Sequence, residues 1–329
     1  MAASSARGHQ RAIPARLNAV LVFAVLVAQG ALLVAASHLP IAWALLAGVA
    51  FAFIFLTNYA LMHEASHGAL QPAPRANWAL GMLTGLTFPT SATMMRVTHI
   101  VHHRCNRTDH EMFDCYYAGD RIWLKRAQWY AILTGLFYLV IPLGAFVVGF
   151  LRPLLLTKPF KRARSARALF DDFDRAALTL VRIECLVLIA VYTPPLALGW
   201  LDPWRCALLF AMGGFNWSTR QYVTHAWSPR RVRDGAHNLQ VGPLMGAILL
   251  NGQWDLAHHR FPTVSWIHLP RLGRRCRPPV PFWRQYISQW AGPRPASEPG
   301  PAVMPELQVV RPVAIGAGHH RPGSAYPSA

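Results

Sequence analysis

Four blocks of apolar residues lie along the chain as two closely spaced pairs. They cover residues 17–37, 40–62, 180–201 and 206–223. Each block is close to the roughly 20 apolar residues that an α-helix needs to cross the hydrocarbon core of a bilayer. The gaps inside the pairs, residues 38–39 and 202–205, are short enough for tight turns. The pattern therefore predicts two membrane-spanning helical hairpins.

Two further apolar blocks, residues 78–95 and 130–151, are interrupted by glycine, proline and hydroxyl-bearing residues. Basic loops indicate their path, because short loops rich in Lys and Arg tend to remain cytoplasmic. Such loops lie at residues 7–16, 152–167, 230–233 and 271–277. If all four are cytoplasmic, both hairpins cross fully and the interrupted blocks enter and leave on the same side. Six full spans are the alternative, and they would place the region of His99 outside, away from His63.

The expected fold is therefore an all-α integral membrane protein with about four transmembrane helices in two hairpins, plus re-entrant or interfacial helices. We divide the chain into a basic N-terminal tail (1–16), a membrane domain (17–290) and a C-terminal tail (291–329). The last part is rich in Pro, Gly, Ala and Ser, a composition that is typical of disorder.

Composition and charge agree with a membrane protein and exclude several other classes. Apolar residues make up 53% of the 329 residues and charged residues only 14%, whereas soluble domains carry about 25% charged residues. The net charge is +18, but the arginines are scattered over loops without a nucleic-acid-binding motif. Five cysteines are too few, and odd in number, for a disulfide scaffold.

Seven of the fifteen histidines fall in three short clusters. The clusters are His63 with His67, His99 with His102 and His103, and His258 with His259, which follow Asp255 by three and four residues. Residues at these spacings share one face of a helix, and imidazole and carboxylate are good ligands for iron, zinc and copper. One such cluster is a weak signal, but three beside membrane segments predict a metal site at the cytoplasmic mouth of the helices.

Other polar residues near the clusters are candidates for supporting roles. His225, near the end of the fourth apolar block, is an eighth candidate ligand. Glu64, Asp109 and Glu111 adjoin the clusters and are candidates to accept N–H bonds from ligand histidines, which would fix the ring orientation. Eight or more ligands are too many for one ion, so we expect two metal ions. No cluster contains a cysteine pair, which argues against structural zinc.

The three clusters resemble the histidine boxes of the membrane fatty acid desaturase superfamily, which also contains hydroxylases, acetylenases and carotenoid oxygenases. The likeness covers roughly residues 17–290 and is carried by residues 63–68 (HEASHG), 99–111 and 251–270 (NGQWDLAHHRFPTVSWIHLP). It implies a di-iron centre with the ligands His63, His67, His99, His102, His103, His225, Asp255, His258 and His259. It also implies a role for Gln221, where some members carry an asparagine that approaches the metal through water.

Asp255 departs from the resemblance, because the third box normally begins with His or Gln. A carboxylate can ligate iron, as it does in soluble di-iron proteins, and it would lower the net charge of the site. Alternatively, Asp255 lies behind the ligands and leaves one iron short of a ligand. Either arrangement leaves open a hydroxylase, an acetylenase or an impaired paralogue.

The resemblance implies an O2-dependent di-iron desaturase that introduces a double bond into an acyl chain. The alternatives are a fatty acyl or hydrocarbon hydroxylase or acetylenase, a carotenoid oxygenase, or a non-catalytic membrane metal-binding protein. The chain contains neither a His-Pro-Gly-Gly motif nor a nucleotide-binding glycine fingerprint. Electrons are therefore expected from a separate ferredoxin, rubredoxin or cytochrome b5 type of donor.

The expected substrate is an acyl lipid or acyl thioester, and the expected location is a bacterial inner membrane or the endoplasmic reticulum, with the boxes on the cytoplasmic side. We expect the acyl chain to lie in an apolar tunnel among the helices. The candidate lining residues are aromatic: Phe51, Phe53, Phe55, Tyr59, Phe215 and Trp217.

Overall fold

Thirteen α-helices and four two-residue strands form the part of the chain that the computed structural model describes, residues 12–155, 157 and 172–311. The helices are α1 (Ala15–His38), α2 (Ile41–Ser66), α3 (Pro74–Thr87), α4 (Ala92–Cys105), α5 (Ile122–Leu133), α6 (Leu136–Phe150), α7 (Arg152–Leu155), α8 (Arg175–Ala197), α9 (Pro203–Ser218), α10 (Pro243–Ile248), α11 (Asp255–Arg260), α12 (Leu269–Gly273) and α13 (Phe282–Ser288). The strands are β1 (Cys115–Tyr116), β2 (Leu239–Gln240), β3 (Val280–Pro281) and β4 (Arg294–Pro295). β1 pairs with β4 and β2 with β3, both in parallel.

The first predicted hairpin is present as α1 and α2. Leu39 is extended, and Pro40 precedes the first turn of α2, a position where the missing N–H of proline costs no helical hydrogen bond. α2 continues past the predicted block to Ser66, so His63 lies within the helix and His67 at its C-terminal cap. Among the described residues, α1, α2 and α8 are the helices that are long and apolar enough to span a membrane.

The second predicted hairpin differs from the expectation in its second arm. α8 has 23 residues, but α9 has only 16 and ends at Ser218, which is short of the roughly 20 residues needed to cross a bilayer. By length alone, α9 therefore does not reach the full span that the sequence predicts for the block 206–223, and that span stays a prediction. His225 lies in the turns that follow α9 rather than at the end of that helix.

The two interrupted apolar blocks each break into two helices. Block 78–95 divides into α3 and the start of α4, and block 130–151 into the end of α5 and all of α6. α5 and α6 meet at 89°, which suits either a re-entrant segment or one broken span. The bend lies at Gly135, which has a φ of 86°, a backbone conformation that favours glycine. A Cβ added at this position would lie 3.0 Å from the Cα of Phe215.

Aromatic side chains fill the core between α2, α6 and α9. Phe51, Phe55 and Phe88 are fully buried, and the rings of Phe55 and Phe88 stack with centroids 4.5 Å apart. A Cβ at Gly214 of α9 would overlap the ring of Tyr138, so glycine is needed for α9 to approach α6 this closely. The packing makes α2 the central helix and holds its C-terminal end in a defined place.

Large apolar side chains point away from the core on each long helix. Val27 of α1, Leu46 of α2 and Leu186 of α8 are 69%, 60% and 55% exposed. Exposed apolar faces of this extent mark contact with another apolar phase. Trp200 and Trp204 are also exposed beside the turn between α8 and α9, where an aromatic residue suits a membrane–water interface.

A buried carboxylate connects α8 to the start of α4. Glu184 lies in α8, is 3% exposed and accepts hydrogen bonds from Trp78 Nε1 (3.0 Å), Ser91 Oγ (2.5 Å), Thr93 N (3.0 Å) and Thr93 Oγ1 (2.7 Å). Ser91 is the N-cap of α4 and its Oγ also accepts from the backbone N–H of Met94. An anionic group at a helix N-terminus also interacts favourably with the helix dipole.

The C-terminal region differs from the sequence prediction of disorder. Residues 291–311 pack against the helical body: β4 pairs with β1, and Leu307 and Val309 are 6% and 2% exposed. The prediction is therefore wrong for this part, because a Pro-rich segment can be held by backbone pairing and a few buried apolar side chains. The rest of that tail (312–329), most of the basic N-terminal tail (1–11) and most of the basic loop (156 and 158–171) lie outside the described residues.

Candidate metal centre

Eight histidines form two adjacent groups. The five-histidine group consists of His63, His67, His99, His103 and His258, and the three-histidine group consists of His102, His225 and His259. Within each group the potential ligand atoms all lie within 4.8 Å of one another. With metal–nitrogen bonds of about 2.1 Å, donor atoms on opposite sides of one ion are about 4 Å apart. Each group is therefore close to the size that a single metal ion requires.

Helical spacing in α4 divides the second cluster between the groups. His99 and His103 are four residues apart, on one face, and their Nε2 atoms are 3.1 Å apart. His102 points to the side, where its Nε2 lies 3.3 Å from that of His259. One helix thus supplies ligands to both groups and sets the two groups side by side.

The short helix α11 divides the third cluster in the same way. The Nε2 of His258 lies 3.0 Å from that of His103 in the five-histidine group, whereas the adjacent His259 belongs to the three-histidine group. Asn238 Oδ1 accepts a hydrogen bond from the backbone N–H of Ala257 (3.2 Å), which fixes the helix. Consecutive residues on a helix point about 100° apart, so two ions can be approached from one turn.

Asp255 lies beside the three-histidine group. Its Oδ2 is 3.1 Å from His225 Nε2, and its Oδ1 is 3.8 Å from His259 Nε2. The side chain therefore lies among the ligand atoms rather than behind them. The carboxylate is thus next to two of the three imidazoles, and carboxylate together with imidazole suits a divalent transition metal.

Backbone carbonyls determine which ring nitrogens are available as ligands. Val309 O lies 2.5 Å from His67 Nδ1, and Gly235 O lies 2.9 Å from His225 Nδ1. A nitrogen beside a carbonyl must carry the proton, so each ring offers its lone pair at Nε2. The His67 lone pair faces His99 Nε2 at 2.9 Å, and that of His225 faces the Asp255 carboxylate. Both Nε2 atoms thus point towards further potential ligand atoms, and this fits a metal site.

The buried rings are in the form that binds metal. Burial, together with the other histidines nearby, lowers the pKa of His99, His103 and His259 well below the usual 6.5. These rings are therefore neutral at pH 7, and a neutral imidazole has the lone pair that a metal needs.

Glu111 is the predicted supporting residue that contacts a candidate ligand most directly. Its Oε2 lies 2.6 Å from His102 Nδ1. Although burial alone would lower the pKa of His102, the Glu111 carboxylate raises it. A carboxylate that accepts the Nδ1 proton directs the Nε2 lone pair towards the metal position and makes the ring more basic.

The other predicted supporting residues have different partners. Glu64 Oε2 accepts from Ser265 Oγ and Trp266 N, both at 3.1 Å, while its Oε1 is 4.0 Å from His63 Nδ1. Glu64 therefore joins the end of α2 to the segment that follows α11. Asp109 accepts from Tyr117, Arg230 and the backbone of residue 300. Gln221 lines the cavity described below.

A buried ion pair positions the turn that carries His225. Arg107 Nη1 donates to both oxygens of Asp114, at 2.7 and 2.8 Å, and its Nη2 donates to Ser228 O. Asp114 in turn accepts from the backbone N–H of Trp227 (2.6 Å). The loop after α4 and the turns after α9 are thereby held together, which brings His225 to His102.

A cavity of about 390 Å³ lies against both groups, a size within the usual range for ligand pockets. Six candidate ligands contribute to its wall: His63, His99, His102, His225, Asp255 and His258. Most of the remaining wall is apolar and includes Leu56, Met94, Met95, Phe137, Val140, Ile141, Trp217, Leu249 and Leu250. Val140 is 58% exposed on the outer face of α6. The cavity thus extends between the ligands and the apolar side of the protein.

Only part of the predicted aromatic lining is found in the cavity. Tyr59 and Trp217 line it. Phe51 and Phe55 are instead buried in the core, and Phe53 and Phe215 are 36% and 48% exposed on the outer surface.

Arg220 is a cation in the wall of this largely apolar cavity. Its Nε donates to Asn216 Oδ1 at 3.0 Å, and its guanidinium lies 5.2 Å from the centroid of the Phe282 ring. None of the ion pairs within the described residues involves Arg220. The guanidinium therefore retains donors for an anionic group of a ligand.

Sequence reasoning did not identify the backbone carbonyls that orient His67 and His225. Every residue has such a carbonyl, so no residue type signals the role of Val309 or Gly235. The side chain of Asn106 was also not singled out, although its Nδ2 bonds the carbonyls of Val232 and Gly235. Only the fold shows which backbone atoms reach the ligands.

The model of the fatty acid desaturase family matches residues 36–290. The matched region contains every candidate ligand of both groups and ends before the C-terminal region that packs against them. None of the curated proteins compared with the chain matches it.

Proposed function

We propose, since the chain belongs to the fatty acid desaturase family, that it is an O2-dependent membrane oxidoreductase that introduces a double bond into an acyl chain. The observation that carries this proposal is the pair of adjacent histidine groups at the wall of an apolar cavity. Two iron ions are the proposed cofactors, held by the eight histidines and Asp255. Iron bound there would supply the oxidation of an unactivated C–H bond.

The donor set supports a redox-active pair of ions rather than a structural ion. The lowered pKa values keep His99, His103 and His259 neutral, and Asp255 adds one carboxylate beside the three-histidine group. Imidazole suits iron and zinc alike, but the nearby cavity gives a substrate access to the ligands. Glu111 holds the proton of His102 at Nδ1, so its Nε2 remains a ligand atom.

The cavity supports a long apolar substrate with a polar or anionic end. Its lining would exclude water from the reacting carbon and hold the chain against both groups, while Arg220 would bind the polar end. Positioning of this kind is the main contribution of the protein when a cofactor performs the chemistry. An acyl lipid or an acyl thioester meets this description.

The position of Asp255 beside the three-histidine group favours a second candidate function, hydroxylation of the acyl chain. Desaturation removes two hydrogens, whereas hydroxylation removes one and adds oxygen. A carboxylate among three imidazoles lowers the charge of the site, and nearby charge is one of the factors that tune a metal. We retain both outcomes, with acetylenation and carotenoid oxygenation as further members of the same class.

We further propose that the histidine groups face the cytoplasm and that a separate ferredoxin, rubredoxin or cytochrome b5 type of protein delivers the electrons. Basic residues near the groups support this sidedness, because 230–233 and 271–277 hold seven arginines. Fusing a reporter to each terminus and to the turn at Trp200 tests the topology.

Expression in a host of defined lipid composition, together with a matching reductant, tests the reaction. Mass spectrometry of the acyl chains should show loss of two hydrogens, and the purified protein should contain two irons per chain. His102→Ala should abolish the product. His38→Ala should leave the product intact, because His38 is an exposed residue at the C-terminal end of α1 and belongs to neither histidine group. Gain of one oxygen would identify a hydroxylase. Iron without any product would support a non-catalytic metal-binding protein, and absence of both would overturn the proposal.

A further inference from the structure

The segment that follows the family-matched region crosses the surface of the metal centre. We name residues 294–311 the C-terminal strap. At its start, Arg294 N donates to Asp114 O (2.8 Å), and further along Met304 N donates to Arg104 O (3.0 Å). Both carbonyls belong to α4 or to the loop that follows it. The strap is thus attached along the helix and loop of the second histidine cluster.

Two apolar side chains attach the end of the strap. Leu307 and Val309 are 6% and 2% exposed and pack with Val232, and Ile100 of α4 contacts the same cluster. The intervening Gln308 is exposed. Alternation of buried and exposed residues is the pattern of an extended segment lying on a surface. The position of Val309 is therefore set by packing and not by chain continuity alone.

The strap then holds His67 at two points. Val309 O lies 2.5 Å from His67 Nδ1, and Arg311 N donates to His67 O at 3.2 Å. His67 is the residue after the last helical residue of α2, so helical hydrogen bonds do not fully fix it. A Cβ on the next residue, Gly68 (φ 66°), would lie 3.8 Å from Arg311 Cβ, which shows how closely the strap approaches.

We propose that the strap is a positioning element for the five-histidine group, acting through the carbonyl of Val309. This carbonyl keeps the proton of His67 on Nδ1 and turns Nε2 towards the other ligands of the group. The inference rests on the proposed metal binding but not on the reaction. His102, His225 and His259 have other partners, so the three-histidine group should not depend on the strap.

Site-resolved iron titration of the full chain in detergent, under anaerobic conditions, tests the proposal. Val309→Asp should displace the carbonyl, because it puts a charge into the buried cluster. Loss of a group that orients a ligand histidine typically weakens metal affinity by about 10–100-fold. We expect that loss for one of two ions, with the other unchanged. Gln308→Asp adds the same charge at an exposed neighbouring position and should bind both ions as the unmodified protein does.

A double-mutant cycle separates positioning from a general structural effect. In a His67→Ala background, Val309→Asp should cause no further loss of iron affinity, because the strap acts through that histidine. A chain that ends at residue 303 should behave like Val309→Asp, and a chain that ends at residue 311 should bind both ions. These truncations keep the test decisive if Val309→Asp fails to fold.

Each outcome separates this proposal from the proposed function. Equal loss of both ions in Val309→Asp, or an additive loss in the His67→Ala background, would overturn the positioning role. Unchanged binding of both ions after truncation at residue 303 would also overturn it. Failure of the unmodified protein to bind iron would instead refute the proposed function.

Discussion

Replacing Glu184 by glutamine should weaken the attachment of α4 to α8. The carboxylate accepts four hydrogen bonds, from Trp78, Ser91 and both the backbone and the hydroxyl of Thr93. A glutamine amide has one oxygen, so its NH2 group would face either the backbone N–H of Thr93 or the indole N–H of Trp78, depending on its orientation. The N–H that it faces would then lie next to another donor, without an acceptor.

The magnitude follows from the groups that lose a partner. An unpaired buried N–H costs about 1–3 kcal/mol. Removing a negative charge from the N-terminus of α4 costs roughly 0.3–1 kcal/mol more, and up to about 2 kcal/mol where the site is buried. We therefore expect the free energy of unfolding to fall by about 1–5 kcal/mol. Because α4 carries His99, His102 and His103, the affinity for iron should fall in the same variant.

Unfolding of the detergent-solubilised protein in sodium dodecyl sulfate, followed by tryptophan fluorescence, measures the change in free energy. Thr179→Ala is the matched control on α8, since Thr179 is exposed and its hydroxyl bonds only within its own helix. Trp78→Phe removes one of the four donors and should cost less than Glu184→Gln. Substitutions without structural consequence usually change the free energy of unfolding by no more than about 0.5 kcal/mol. A change of that size or smaller for Glu184→Gln would refute the reasoning.

Three further substitutions test the site and its cavity. Asp255→Asn should weaken iron binding at the three-histidine group by at least about tenfold. Asp174→Asn is the matched control and should have no effect, because Asp174 is the exposed N-cap of α8 and asparagine caps a helix equally well. Arg220→Gln should raise KM more than it lowers kcat if the guanidinium binds the polar end of the substrate, and Arg220→Lys should restore part of the loss. Gly144→Leu should fill the cavity beside Met94 and shift the products to shorter acyl chains in gas chromatography. An unchanged chain-length profile would place the substrate elsewhere.

Local sequence spacing predicted the ligand-bearing helices well, and apolar length predicted the long spans. Histidines three and four residues apart do lie on α4, and the family match covers all three clusters. The same reasoning did not predict where the helix in residues 206–223 ends. An apolar block there continues past Ser218, but the chain leaves the helix and forms turns that bring His225 to His102.

Composition misled the prediction for the C-terminal region, for a physical reason. Proline and glycine lower the tendency to form helices, but they do not prevent an extended segment from pairing with a neighbouring strand. Leu307 and Val309 are too few to form a core of their own, yet they complete a cluster with Val232. Burial of this kind depends on residues about 75 positions away, which local composition does not describe.

The sequence by itself determined the long apolar helices and the residues of the three histidine clusters, because these depend on residues within one or two turns. Its expectation that each cluster shares one helical face was wrong for His102, which points to a different group from His99 and His103. Only the tertiary structure decided how the ligands divide between two groups, with neighbouring His258 and His259 on different sides. It also decided that Asp255 lies among the ligands and that Val309 orients His67. These arrangements depend on contacts between distant segments, and helical periodicity carries no information about which segments meet.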